Sequence, residues 1–85
     1  MITSDQIRAG RALLRWSAVE LANRSGVGLA TVKRMEAMSG LPHGQVRTLS
    51  AIRFALEEAG IEFVGSPGDR PGVRLRIAFN QKTSA

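Results

Sequence analysis

Two adjacent cations, Lys33 and Arg34, give this chain its clearest capacity for chemistry. Ammonium and guanidinium groups bind phosphate, and a guanidinium can also donate two hydrogen bonds to the edge of guanine. The 85-residue chain has a net charge of +5, which favours a polyanionic partner such as nucleic acid over an anionic membrane surface. The alternative interpretation of Lys33 and Arg34 is a solvated face of a helix.

Other kinds of chemistry have little support in the sequence. The chain has no cysteine, which excludes disulfides, thiolate zinc sites and thiol nucleophiles. Its seven acidic residues are scattered, without a pattern that would bring a carboxylate to a nucleophile or a metal. His43 is the sole histidine, so we expect a loop residue or a phosphate contact there and no metal site. The sequence thus predicts a protein with no catalytic activity and no cofactor.

The segment that positions the two cations is predicted to form two short helices joined by a turn. Ser17 and Glu20 have the spacing of a capping box, which marks the start of the first of these helices. Gly26 stands where the end of a helix needs left-handed backbone. The second helix is predicted to begin at Gly28 or Leu29. This arrangement is typical of a helix-turn-helix motif, whose second helix lies in the major groove of DNA.

The same segment resembles the lambda-repressor and Cro-like (Xre) family of bacterial and phage regulators. The residues that carry the resemblance are Leu21-Ala22, Gly26-Val27, Thr31-Val32 and Glu36, preceded by Arg11. It covers residues 3–59 and implies a mainly α-helical, four-helix domain. It also implies an ion pair between Arg11 and Glu36, for which the alternative is two solvated surface charges.

The resemblance also assigns DNA-binding roles to particular residues. Its base-reading positions fall on Leu29, Ala30 and Arg34, of which Arg34 is the best candidate for a guanine contact. Leu29 and Ala30 can touch thymine methyl groups. The full set of predicted DNA-binding residues is Ser17, Ala18, Gly28, Leu29, Ala30, Thr31, Lys33, Arg34, His43 and Arg47.

Phosphate contacts are expected from the remaining members of that set. Thr31 or Lys33 is the candidate on the second helix of the motif, and Arg47 is the candidate on the next helix. Ala18 stands where the family often has a phosphate-binding glutamine. The donors at that end are therefore expected to be the backbone amides of residues 17–19.

Two further helices complete the predicted domain. The first spans Ser4 to Arg15 behind a capping box of Thr3 and Gln6. The last spans about Gln45 to Ala59, and its predicted apolar stripe is Val46, Leu49, Ile52, Leu56 and Ala59. The DNA-binding domain is predicted at residues 1–60, with a β region of the same domain at 61–79 and a flexible tail at 80–85.

The β region leaves two uses open. Residues 61–64 and 73–79 alternate in polarity as strands do, and residues 65–72 are predicted to be a turn-rich connection. The strands either form a hairpin that covers the core, or the last strand pairs with its copy in a dimer. We favour the dimer, with an interface at Val73, Leu75, Ile77 and Phe79. A bacterial subset of the Xre family has a similar ending.

The resulting expectation is a sequence-specific transcriptional regulator that binds double-stranded DNA as a small homodimer on a palindromic operator. No apolar run approaches membrane-spanning length, so the expected location is the cytoplasm. The resemblance implies that the cell is bacterial and that the protein lies at the nucleoid. The alternative is a protein-interaction module, such as the antitoxin of a toxin-antitoxin pair or a recruitment factor for RNA polymerase. Nonspecific nucleoid binding is a third, weaker interpretation because the positive charge is modest.

Overall fold

The computed structural model describes residues 1–38 and 46–76, in which four helices precede a pair of strands. The elements are α1 (Ser4–Leu13), α2 (Ala18–Ser25), α3 (Leu29–Ala37), α4 (Val46–Glu58), β1 (Ile61–Ser66) and β2 (Asp69–Leu75). The fold is helix-rich with a two-stranded antiparallel sheet, as the sequence predicts at this level. None of the helices in the two described ranges is long and apolar enough to cross a membrane.

Side-chain caps start the first two helices. At α1 the predicted capping box is complete, because Gln6 N donates to Thr3 Oγ1 at 3.0 Å and Thr3 N donates to Gln6 Oε1 at 2.8 Å. At α2 only half of the predicted box forms. Glu20 N donates to Ser17 Oγ at 3.0 Å, but the Glu20 carboxylate pairs with Arg24 one turn later. The ion pair with Arg24 replaces the second capping bond.

The helix ends differ from prediction at α1. The helix stops at Leu13 and not at Arg15, because Arg15 takes the left-handed conformation with φ of 59°. Gly26 ends α2 with φ of 77°, in agreement with its predicted role. The predicted first residue of α4, Gln45, lies outside the described residues.

The core is formed by residues of all four helices, and the hairpin packs against α1 and α4. Leu49, Ile52 and Leu56 of the predicted stripe on α4 are buried. Val46 was wrongly placed on that stripe, since it is 69% exposed. With 3.6 residues per turn, a residue six positions before Ile52 points well away from it, and Ala55 completes the buried side instead. The buried apolar residues are Ile2, Ile7, Leu14, Leu21, Ala22, Val32, Met35, Leu49, Ile52, Ala55, Leu56 and Ile61.

The two strands continue through the region predicted as a connection. Their register pairs Ile61 with Leu75, Glu62 with Arg74 and Phe63 with Val73, and a bulge interrupts the ladder between Val64 and Ser66. Only residues 67–68 form the turn. The prediction of a long connection at 65–72 is therefore wrong, as is the predicted start of the last strand at residue 73.

Gly65 makes this longer hairpin possible. Its φ is 74°, and a Cβ there would lie 2.2 Å from the carbonyl oxygen of Arg70. A glycine can take this left-handed conformation in a bulge without steric cost, whereas any other residue would clash with the opposite strand. Gly65, which the sequence predicts in the connection, thus belongs to β1.

The hairpin covers the core of its own chain, which is the first of the two uses left open. Phe63, Val73 and Leu75 pack against the core, and Gln6 Nε2 donates to the carbonyl oxygens of Val64 at 3.2 Å and Gly72 at 2.8 Å. Pairing of the last strand with a second copy stays a prediction. The other two predicted interface residues, Ile77 and Phe79, and the tail at 80–85 lie outside the described residues.

Candidate nucleic-acid interface

The C-terminal end of α3 is held by side chains of α1. The fully buried Ser4 donates from Oγ to the carbonyl oxygen of Met35 at 2.6 Å. Arg8 donates to the carbonyl oxygen of Glu36 and also pairs with Asp5. The last carbonyls of a helix lack partners within it, so these bonds satisfy groups that would otherwise be orphaned. Sequence reasoning missed both contacts, because they depend on how α1 crosses α3.

Arg11 and Glu36, the two residues expected to pair, are joined by two hydrogen bonds. Arg11 Nε lies 2.8 Å from Glu36 Oε2, and Arg11 Nη2 lies 2.9 Å from Glu36 Oε1. The hydrogen bond to Glu36 raises the pKa of Arg11 above its usual value; burial opposes this shift and the Glu36 charge adds to it. Arg11 Nη1 also donates to the carbonyl oxygen of Trp16 at 2.9 Å. One guanidinium therefore fixes α3 relative to both α1 and the segment that leads into α2.

The opposite side of α3 faces solvent. Ala30, Lys33 and Arg34 are exposed, whereas Val32 and Met35 are buried beneath them. Of the other two predicted contact residues on this helix, Leu29 packs partly against the core and Thr31 is half-buried. Met35 and Glu36 follow Val32 by three and four residues, so these three buried residues lie on one side of the helix and the cations lie on the other. The cations predicted to bind DNA thus share an accessible face.

A groove brings three predicted contact residues together at the start of α3. It is shallow, with a volume of about 380 Å³, and it is lined by Gly28, Thr31 and Arg47 together with residues of the preceding turn and of α4. Ser17 and Ala18 are not part of it. They lie at the other end of α2, about 12 Å away along the helix. His43 lies outside the described residues.

The ion pairs of the fold leave the charge of this region uncompensated. In the described residues, six arginines pair with carboxylates: Arg8–Asp5, Arg11–Glu36, Arg24–Glu20, Arg53–Glu57, Arg70–Asp69 and Arg74–Glu62. Within the same residues Lys33, Arg34 and Arg47 form no ion pair with a carboxylate. Three of the five described cations without a carboxylate partner therefore lie on α3 and the start of α4, and the other two are Arg15 and Arg76.

Arg15 is a cation that sequence reasoning missed as a site residue. It is exposed, it has no carboxylate partner among residues 1–38 and 46–76, and it lies two positions before the cap of α2. The sequence pattern predicts that Arg15 is part of the first helix. In the structure its backbone is left-handed, and it lies in the segment between α1 and α2.

Metal chemistry has no support in the part of the chain that the structure describes. No group of three histidine, cysteine or acidic side chains there could hold a metal ion. The arrangement offers hydrogen-bond donors and positive charge, which suit an anionic ligand.

Comparisons with known proteins leave the family open. No protein-family model matches the chain, and no curated protein matches it. The resemblance to Xre-type regulators stays a prediction that rests on the motif residues.

Proposed function

We propose that the protein is a transcriptional regulator that binds double-stranded DNA through α3, with α2, the turn at Gly26 and α3 acting as a helix-turn-helix of the lambda-repressor type. The observation that carries the proposal is the contrast in charge. The cations of α3 and the start of α4 have no carboxylate partner among the described residues, whereas the other regions pair most of theirs. A polyanion gains most where positive charge is not already neutralised.

The proposed base contacts come from Arg34 and Ala30 on the exposed side of α3 and from the half-buried Leu29 at its start. Arg34 donates to guanine, and Ala30 and Leu29 face thymine methyl groups. The hydrogen bonds from Ser4 and Arg11 support this role, because they hold α3 in one position on α1. Base recognition needs such a rigid support, since hydrogen bonds are lost when donors shift by an ångström.

The proposed phosphate contacts surround those base contacts. Lys33 and Thr31 lie on α3, and Arg47 lies across the groove from Thr31. At the far end of α2, the amides next to Ser17 would bind a second phosphate, with the exposed Arg15 beside them. Two phosphate sites on either side of the base contacts would fix the orientation of the protein on the duplex.

A regulator of this kind would act without a cofactor in the bacterial cytoplasm, on a palindromic operator that matches a symmetric dimer. The second proposal is a protein-interaction module, such as an antitoxin or a recruitment factor for RNA polymerase. One observation favours it: Phe54 of α4 is 61% exposed. Co-purification of a second, different chain with the protein would support that proposal.

The test is fluorescence anisotropy of the protein with its own upstream DNA and with a scrambled duplex, repeated at several salt concentrations. We expect the upstream DNA to bind about a thousandfold more tightly, the low end for specific regulators. Equal affinity for both duplexes, falling steeply with salt, would contradict sequence-specific regulation and indicate binding to the backbone alone.

A further inference from the structure

The exposed side of α4 carries four residues in one line. Arg47, Ala51, Phe54 and Glu58 follow one another at spacings of four, three and four, so they form a single stripe along the helix, which we call the α4 stripe. Arg47, Phe54 and Glu58 are exposed, and Ala51 is half-buried. Phe54 is 61% exposed, an unusual position for an aromatic side chain of a small domain.

The two ends of the α4 stripe carry opposite charges that no contact in the described chain satisfies. Glu58 and Arg47 form no ion pair within residues 1–38 and 46–76. They cannot pair with each other, because eleven residues of helix separate them by about 16 Å. Arg24 lines a groove with Phe54 and Glu58, but it is held by Glu20 at 2.6 Å and by the ring of Trp16 at 4.8 Å.

A second copy of the same stripe, running antiparallel, complements it at every position. In one register, Arg47 lies opposite Glu58 of the copy and the two helices cross between residues 52 and 53. Ala51 and Phe54 are equally far from that point on either side, so Phe54 lies opposite Ala51 of the copy. The same register repeats both contacts with the two chains exchanged, as a two-fold axis requires. Each cation then meets an anion, each large side chain meets a small one, and the helix dipoles run in opposite directions.

The structure also provides space for the aromatic ring. The shallow groove of about 380 Å³ at the start of α3 is lined by Ala51, Thr48 and Val27. A phenylalanine of the other chain that packs on Ala51 would lie at the edge of this groove. The Phe54 ring of each chain would then be removed from contact with water.

From these observations we propose that the α4 stripe is the interface of a symmetric homodimer, in which Arg47 of each chain pairs with Glu58 of the other. The dimer forms without DNA, so it does not depend on the proposed function. It assigns Arg47 to the subunit contact in place of a phosphate contact. It places the dimer interface on α4, whereas the sequence predicts it on the last strand.

The experiment is analytical ultracentrifugation of the full chain without DNA, from low to several hundred micromolar. We expect a monomer–dimer equilibrium that Phe54→Glu shifts to monomer. Since Phe54 is exposed, this variant should keep the helical circular dichroism and melting temperature of the wild-type monomer. Val19→Glu is the matched control, because Val19 is also an exposed apolar residue, at 50%, but lies on α2; it should dimerise as the wild type does.

A charge exchange tests the register. Arg47→Glu and Glu58→Arg should each weaken dimerisation about tenfold or more, because each places like charges in contact twice per dimer. The double variant should recover most of the wild-type affinity. A wild-type chain that stays monomeric, a Phe54→Glu variant that dimerises normally, or a double variant no better than the single ones would each overturn the proposal.

The two proposals fail separately in this design. A wild-type chain that stays monomeric but prefers the upstream DNA would overturn only the α4 interface. A normal dimer that binds both duplexes equally would overturn only the proposed function.

Discussion

The β-hairpin and α3 both expose basic side chains, but they differ in what surrounds the charges. On the hairpin, Arg74 donates to both carboxylate oxygens of Glu62, at 3.2 and 2.9 Å, and Arg70 pairs with Asp69. On α3, Lys33 and Arg34 have no carboxylate partner among the described residues. Net charge is therefore a poor guide to an anion-binding surface, because ion pairs decide where the charge is free to act.

The two regions also differ in how they are attached to the rest of the fold. The hairpin packs on the core mainly through apolar side chains such as Phe63 and Leu75, with Gln6 as a polar link. α3 also packs on the core through Val32 and Met35, but its end is held in addition by hydrogen bonds and an ion pair from Ser4 and Arg11. Polar attachment has strict geometry, which suits a helix whose orientation must be fixed.

The largest difference between the two regions is expected in the free energy of unfolding, when the arginine is removed from the Arg11–Glu36 pair or from the Arg74–Glu62 pair. Arg11→Ala should lower the free energy of unfolding by about 3 kcal/mol, because it leaves the buried Glu36 carboxylate without its partner. Arg74→Ala, which breaks a similar two-bond pair on the exposed hairpin, should cost much less, because solvent screens exposed ion pairs. Urea denaturation of both variants measures the difference. Equal losses would show that burial of Glu36 does not distinguish the pairs.

A second comparison concerns binding. Arg34→Ala should weaken binding to the preferred DNA by about 1–3 kcal/mol and relax the preference at one base pair, as loss of a guanine contact does. Arg70→Ala removes a charge from the start of β2, where Arg70 already pairs with Asp69, and should leave affinity nearly unchanged. Anisotropy with a set of single-base-pair variants of the duplex gives both values. A uniform loss for Arg34→Ala across all duplexes would make it a phosphate contact.

Local signals in the sequence predicted the helices well. The capping residues Thr3 and Ser17 and the left-handed Gly26 act within a few residues of chain, so their spacing alone places the helix ends. Arg15 escaped prediction because an arginine with left-handed backbone has no sequence signature.

Longer-range features could not be predicted in the same way. The pairing of Glu62 with Arg74 depends on the register of the hairpin, which the bulge at Gly65 sets. The bonds from Ser4 and Arg8 to α3 depend on how two helices cross. For this reason the sequence suggested Lys33, Arg34 and Arg47 as site cations but not Arg15, and it did not show which of the other cations are neutralised.

The smallest expected effect is a pH dependence on the hairpin. The hydrogen bonds from Arg74, together with its charge, lower the pKa of Glu62 from its usual value of 4.5, with a minor contribution from the charge of Arg76. A carboxyl whose pKa is lower in the folded state stabilises the fold above its usual pKa, and this stabilisation is lost as the pH falls through the folded-state value. Wild type should therefore be slightly more stable than Glu62→Gln at neutral pH, and the difference should vanish well below pH 4.5.

In the Arg74→Ala background, the effect of Glu62→Gln on stability should depend little on pH, because the group that shifts the pKa of Glu62 is gone. Thermal melts of wild type, the two single variants and the double variant across this pH range measure these differences. A difference in stability between wild type and Glu62→Gln that stays the same in acid would show that the ion pair does not stabilise the hairpin.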